Sequence, residues 1–159
     1  MTWSPSLTQG RDSDAAVLRS PDGLAVRIQL LNARGYHRWP TKRVVLTQRY
    51  SDAPPATLTV PTPAGFVAAK TAAWHDRAAP RDLWDLWALA EHDHLTIEAA
   101  DLFARLGPTN RRPDPAAFAH PPDEAQWRRE LAAQVRLTVT AAEAGETVRA
   151  RWAALARDA

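Results

Sequence analysis

The chain has no cysteine, a single methionine, two tyrosines and, among its 20 basic side chains, only two lysines. Without cysteine there is no disulfide framework and no thiolate metal site. No stretch approaches the ~20 consecutive apolar residues needed to cross a bilayer. Met1 to Gly10 carries neither the basic segment nor the apolar run of a secretory leader. The expectation is therefore a cytoplasmic protein with no membrane partner. An excess of one charge is also missing. The 20 basic and 18 acidic residues leave a formal charge of +2, so the sequence pI near 9.5 reflects arginine chemistry and excludes a polybasic tail. No phosphate loop, dinucleotide fingerprint, Ser-His-Asp arrangement or internal repeat is present.

What is present suits one compact domain spanning residues 1–159, with 45% hydrophobic residues to build its core. Residues 15–60 read as strands. Ala15-Ala16-Val17-Leu18 is halted by Ser20-Pro21-Asp22-Gly23, a turn in which proline presets φ and glycine accepts a positive one. The alternation of Leu24 to Leu31 sets Val26, Ile28 and Leu30 on one face, so the two runs predict a hairpin. Arg43 to Tyr50 and Ala56 to Val60 predict two further strands.

The period changes at Pro61, and residues 61–106 read as helical. Thr62 can cap a helix with Pro63 at its first position, running to Ala79. Pro80 starts a second helix, to about Glu91, with Leu83, Leu86, Trp87 and Ala90 along one stripe. Thr96 caps a third, ending at Leu106 before Gly107-Pro108. A proline-rich connector, 107–122, leads to C-terminal helices over 123–159, with Gly145 the expected interruption. Strands first and helices after argue an α+β fold: a small mixed or antiparallel sheet followed by a helical C-terminal half.

Charge is unevenly shared. Residues 1–62 carry eight basic and four acidic side chains, and residues 63–159 carry twelve and fourteen. Arg34, Arg38, Lys42, Arg43 and Arg49, interleaved with His37, Trp39 and Tyr50, suit a nucleic-acid backbone or unstacked bases, or equally a solvated loop. His92 and His94 alternate at a helix end, where they point in different directions and are expected to cap or face solvent. His75 is expected at the surface. Trp84 and Trp87 read as packing, and Trp127 and Trp152 as core or as a docking surface.

The informative stretch runs from Phe66 to Leu89. Lys70 and Arg77 are seven residues apart, two helical turns, so they share a face and can present two positive charges to one ligand, a phosphate by preference. Asp82 and Asp85, three apart near the start of the second helix, sit where the helix dipole favours negative charge. An aspartate pairing with Arg77 across the corner between helices is also an ordinary stabilising device. Spacing leaves both readings open.

A lysine in an Ala-rich helix, an arginine seven later and then Arg81-Asp82-x-x-Asp85-Leu86 resembles the third and fourth motifs of the AbiEii/AbiGii-type nucleotidyltransferase toxins. The resemblance covers roughly residues 24–106, including Thr62 to Lys70 and the continuation Arg81 to Leu89. It implies a partial nucleotidyltransferase fold in which Lys70, Arg77 and Arg81 hold nucleotide phosphates and Asp82 and Asp85 serve as catalytic carboxylates. It further implies NTP as substrate, Mg²⁺ as cofactor, an RNA acceptor of the tRNA class and a cognate antitoxin protein. Phosphoryl-type transfer depends on positioning and charge neutralisation more than on covalent chemistry, so these side chains suffice in kind.

The family's first motif, Gly-Ser followed by Asp-x-Asp, has no convincing Gly-Ser here. Asp12-Ser13-Asp14 is the only Asp-x-Asp, which makes Asp12 and Asp14 the candidate metal pair. Gln29 stands where the family's second motif often has an acidic residue. The chain thus looks like the C-terminal two-thirds of the family. A truncated product, a degenerate toxin or a minimal variant with rearranged metal ligands all fit, and the alternative function is a catalytically silent protein- or RNA-binding domain.

Overall fold

The computed structural model describes residues 2–4, 15–29, 39–49, 51 and 54–157. The chain groups into two units, Met1–His37 and Arg38–Ala159. The class is α+β, as the element order implies.

In the first unit, β1 (Thr2–Ser4), β2 (Ala15–Arg19) and β3 (Ala25–Gln29) form an antiparallel sheet in that order. The β2–β3 hairpin closes through Ser20 to Gly23, where the Gly23 N–H donates to the Ser20 carbonyl at 3.2 Å. Gly23 adopts φ +85°, the conformation for which the turn needs glycine. The register sets Ala16 opposite Ile28 and Leu18 opposite Val26, on the face that the alternation marks. The short β1 has no counterpart in the sequence reading.

The second unit opens with β4 (Thr41–Val45) and β5 (Thr57–Pro61), an antiparallel pair forming its own sheet. The described strands therefore make two antiparallel sheets. Lys42, Arg43 and Arg49 are exposed, whereas Trp39 packs against the helical core.

Among the described residues five α-helices follow: α1 (Pro63–Arg77), α2 (Pro80–Glu91), α3 (Ile97–Leu106), α4 (Glu124–Leu131) and α5 (Ala141–Arg157). Their starts are local events. Thr62, Thr96 and Asp123 each accept a backbone N–H three residues on, at 3.1, 3.3 and 2.8 Å. At α5, the Thr140 hydroxyl accepts from the Glu143 N–H while the Glu143 carboxylate accepts from the Thr140 N–H, a reciprocal cap.

α1 ends at Arg77, two residues short of the expected boundary. Ala78 turns into the left-handed region at φ 47°, its N–H donating to the Trp74 carbonyl at 2.8 Å. Ala79 is extended, as a residue before proline prefers, and Pro80 restarts the helix. This two-residue corner brings the end of α1 against the beginning of α2.

The core lies among the helices. α1 packs on α2 and α3, and α2 packs on α4 and α5. Leu83, Leu86, Phe103, Phe118, Trp127, Leu131 and Trp152 are almost completely buried. Trp127 and Trp152 are thus core residues and form no docking surface. The Trp127 indole N–H is satisfied by the Val139 carbonyl at 3.0 Å. Gly145 does not interrupt α5, which runs unbroken through it. A Cβ there would stand 3.2 Å from the Pro121 Cβ and 3.3 Å from the Phe118 carbonyl oxygen. The glycine is there for close packing against the connector, where a 3₁₀ turn at Pro115–Phe118 inserts Phe118 into the core.

Candidate nucleotide-binding site

The Ala78–Ala79 corner decides what faces what. Lys70 and Arg77, two turns apart on α1, both reach the first turn and a half of α2. There Asp82 occupies the third helical position and Asp85 the next turn. Asp82 follows Pro80 by two residues, so the corner places its carboxylate back toward the end of α1.

Asp82 is fully buried. Its two oxygens accept from the Arg77 guanidinium, Oδ2 from Nε at 2.7 Å and Oδ1 from Nη2 at 2.9 Å. This two-bond fork is the geometry in which arginine binds carboxylate most strongly. The Lys70 ammonium stands 3.6 Å from Asp82 Oδ1 and pairs closely with Asp85 Oδ2. It also lies 5.5 Å from the centre of the Phe66 ring, one turn earlier on α1, within cation–π range. A buried carboxylate with two cationic partners satisfies the rule that buried charge is tolerated only when paired and hydrogen-bonded.

Exposure separates the four. Asp82 is inaccessible, Lys70 and Asp85 keep 22% and 28% of their side-chain surface, and Arg77 keeps 43%. Arg81, one residue before Asp82, is exposed and stands outside these ion pairs. Lys70, Asp85 and Arg77 are thus partly accessible to solvent, beside the exposed Arg81.

The structure brings together Lys70, Arg77, Asp82 and Asp85, with Arg81 adjacent. Asp12 and Asp14 lie outside the described residues. Among those described, no group of three or more histidine, aspartate or glutamate side chains is arranged to hold a metal ion. Both oxygens of Asp82 accept from Arg77, and Asp85 Oδ2 pairs with Lys70.

His75 departs from its expected surface position. Its ring lies 5.1 Å from Phe103 and 6.4 Å edge-on to Phe118, and its buried Nε2 has no hydrogen-bond partner. Burial pushes its pKa below the ordinary histidine value, against an opposing pull from Asp114. Helical spacing does carry a signal for this, since His75 follows buried Thr71 by four residues. His92 and His94 are exposed, and Asp93 between them pairs with Arg151 at 3.0 Å.

The α1–α2 corner joins a lysine and an arginine to two aspartates. The family profile described as nucleotidyl transferase AbiEii toxin, type IV toxin-antitoxin system, matches residues 8–159, and the chain belongs to that family. The match extends well beyond residues 24–106, on which the motif resemblance rests. Membership of a toxin-antitoxin family implies an antitoxin partner. No described helix is long and apolar enough to cross a membrane. No curated protein and no solved structure matches the chain.

Proposed function

We propose that this protein transfers a nucleotidyl group from an NTP to the 3′ hydroxyl of an RNA acceptor of the tRNA class, in the cytoplasm and under the control of a cognate antitoxin. The observation that carries this reading is the placing of Lys70 and Arg77 on one face of α1 against the start of α2, with Asp82 and Asp85 opposite, in a chain of this family. In the transfer, the acceptor oxygen bonds to the α-phosphorus and pyrophosphate leaves with the electrons of the broken P–O bond. Negative charge grows on the phosphate oxygens, where fixed cations act most effectively.

Lys70 and the partly exposed Arg77 contact phosphates in this reading, with Arg81 adding a third positive charge. Asp85, the accessible carboxylate, assists at the acceptor hydroxyl. Asp82 works through Arg77, holding its guanidinium in place by two hydrogen bonds. The family's chemistry also calls for Mg²⁺. Asp12 and Asp14, the Asp-x-Asp of the sequence, stand as the proposed pair for it.

Purified protein incubated with Mg²⁺, labelled NTPs and total tRNA tests the reading. Label transferred to tRNA, and lost in Lys70→Ala, supports it. No transfer from folded protein with any NTP contradicts it.

One observation favours a second reading. Lys70, Arg77, Asp82 and Asp85 neutralise one another, as they would in a silent family member whose corner is purely structural and whose role is to bind RNA or the antitoxin. Binding of tRNA or antitoxin without label transfer is the outcome that this reading requires.

A further inference from the structure

The two cations of the site are held in unequal ways. Arg77 is forked onto a fully buried carboxylate by two hydrogen bonds, whereas Lys70 is held chiefly by the partly exposed Asp85. A phosphate arriving from solvent meets Lys70 with its charge already satisfied. We propose that Asp85 is a built-in competitor for the nucleotide phosphate: it occupies the Lys70 ammonium in the empty site, sets the affinity for phosphate and is displaced when phosphate binds. The inference rests on the proposed nucleotide site and deepens it.

Three features make the exchange one that Lys70 can perform and Arg77 cannot. The ammonium is a compact charge on a flexible stem, able to swing between acceptors without breaking a two-bond geometry. Phe66 lies beneath it at 5.5 Å, so the stem keeps a favourable ring contact while the head group changes partner. Asp85 is solvent-accessible, so it can be hydrated once released, whereas Asp82 would be stranded as a buried unpaired charge.

The same argument explains a choice of residue. The chain uses arginine at 18 of its 20 basic positions, yet has lysine at 70. An arginine there would fork onto Asp85 and resist displacement, although arginine is ordinarily the better ligand for phosphate.

The test is the affinity of the full-length protein for inorganic triphosphate, measured by titration calorimetry without added metal, with the fold of each variant checked by circular dichroism. Asp85→Asn removes the competitor, and triphosphate should bind about three- to tenfold more tightly, the scale of a partly exposed ion pair. Asp85→Ser serves if the asparagine variant does not fold. Lys70→Arg should bind more weakly than the wild type, and Lys70→Arg/Asp85→Asn should recover the loss. In a Lys70→Ala background, Asp85→Asn should tighten binding less than about twofold, the residue of simple charge removal on a partly exposed side chain.

Tightening that persists undiminished without Lys70 would reduce the effect to general charge removal and overturn the proposal. So would an Asp85→Asn protein that binds no more tightly than the wild type, or a Lys70→Arg protein that binds more tightly. If Lys70→Ala leaves triphosphate affinity unchanged, the nucleotide site itself is misassigned. If Lys70→Ala weakens binding while Asp85→Asn does not tighten it, the site stands and the competition does not.

Discussion

Both carboxylate oxygens of the fully buried Asp82 are held by the Arg77 guanidinium, at 2.7 and 2.9 Å, across a corner of only two residues. This pair ties the end of α1 to the start of α2.

Asp82→Asn should therefore weaken the fold as well as the site. Loss of one partner from a buried pair costs about 3–5 kcal/mol when the other charge is stranded. Arg77 is nearly half exposed and can be rehydrated, so the expected loss is about 2–3 kcal/mol. Urea unfolding of the two proteins at neutral pH measures it. A change below about 0.5 kcal/mol, the range of an ordinary surface substitution, would show that the pair does not anchor the corner.

The corner carries strain at Ala78, whose φ of 47° lies in the region that glycine alone adopts without cost. Ala78→Gly should raise stability by about 0.5–1 kcal/mol, the reverse of the usual effect of introducing glycine. Thermal unfolding reads the sign directly. Lower stability in the variant would mean that the left-handed turn is not the conformation adopted in solution.

His75 makes stability depend on pH. Burial depresses its folded-state pKa below the unfolded value, so the unfolded chain takes up the proton first. The contribution is fully present above the unfolded pKa, about 6.5, and is lost as pH falls through the depressed folded value. His75→Phe, which keeps a ring between Phe103 and Phe118, should remove this part of the dependence. Urea unfolding at pH 7.5 and pH 5.5 should show a smaller drop for the variant than for the wild type. Equal drops would place the pH sensitivity elsewhere.

Much of this architecture was legible in the sequence because it is local. Thr62-Pro63, Thr96 and Asp123 announce helix starts through capping chemistry that needs no tertiary context. The shared face of Lys70 and Arg77 follows from helical periodicity, and the α2 stripe of Leu83, Leu86 and Ala90 is buried as its spacing implies. The left-handed turn at Ala78 was not legible, since alanine in that conformation carries no signature in composition, whereas the break at Pro80 and a pairing of aspartate with Arg77 across the corner were. Gly145 reads as a breaker only because close approach to Pro121 is a tertiary fact. The burial of Trp127 and Trp152, and the aromatic surround of His75, likewise depend on how helices meet. At the site, spacing narrowed the candidates and resemblance selected among them. The unequal hold on the two cations is visible only in the packed corner.

The most direct measurement of the central claim is the rate of label transfer from NTP to tRNA by the wild type, Lys70→Ala and Arg129→Ala, the last removing a positive charge on the exposed face of α4. Loss of a fixed charge that stabilises the transition state costs roughly 100-fold or more. The account predicts that fall for Lys70→Ala and a change within about twofold for Arg129→Ala, as expected of a surface substitution. Equal rates for the two variants, with both folded, would contradict it.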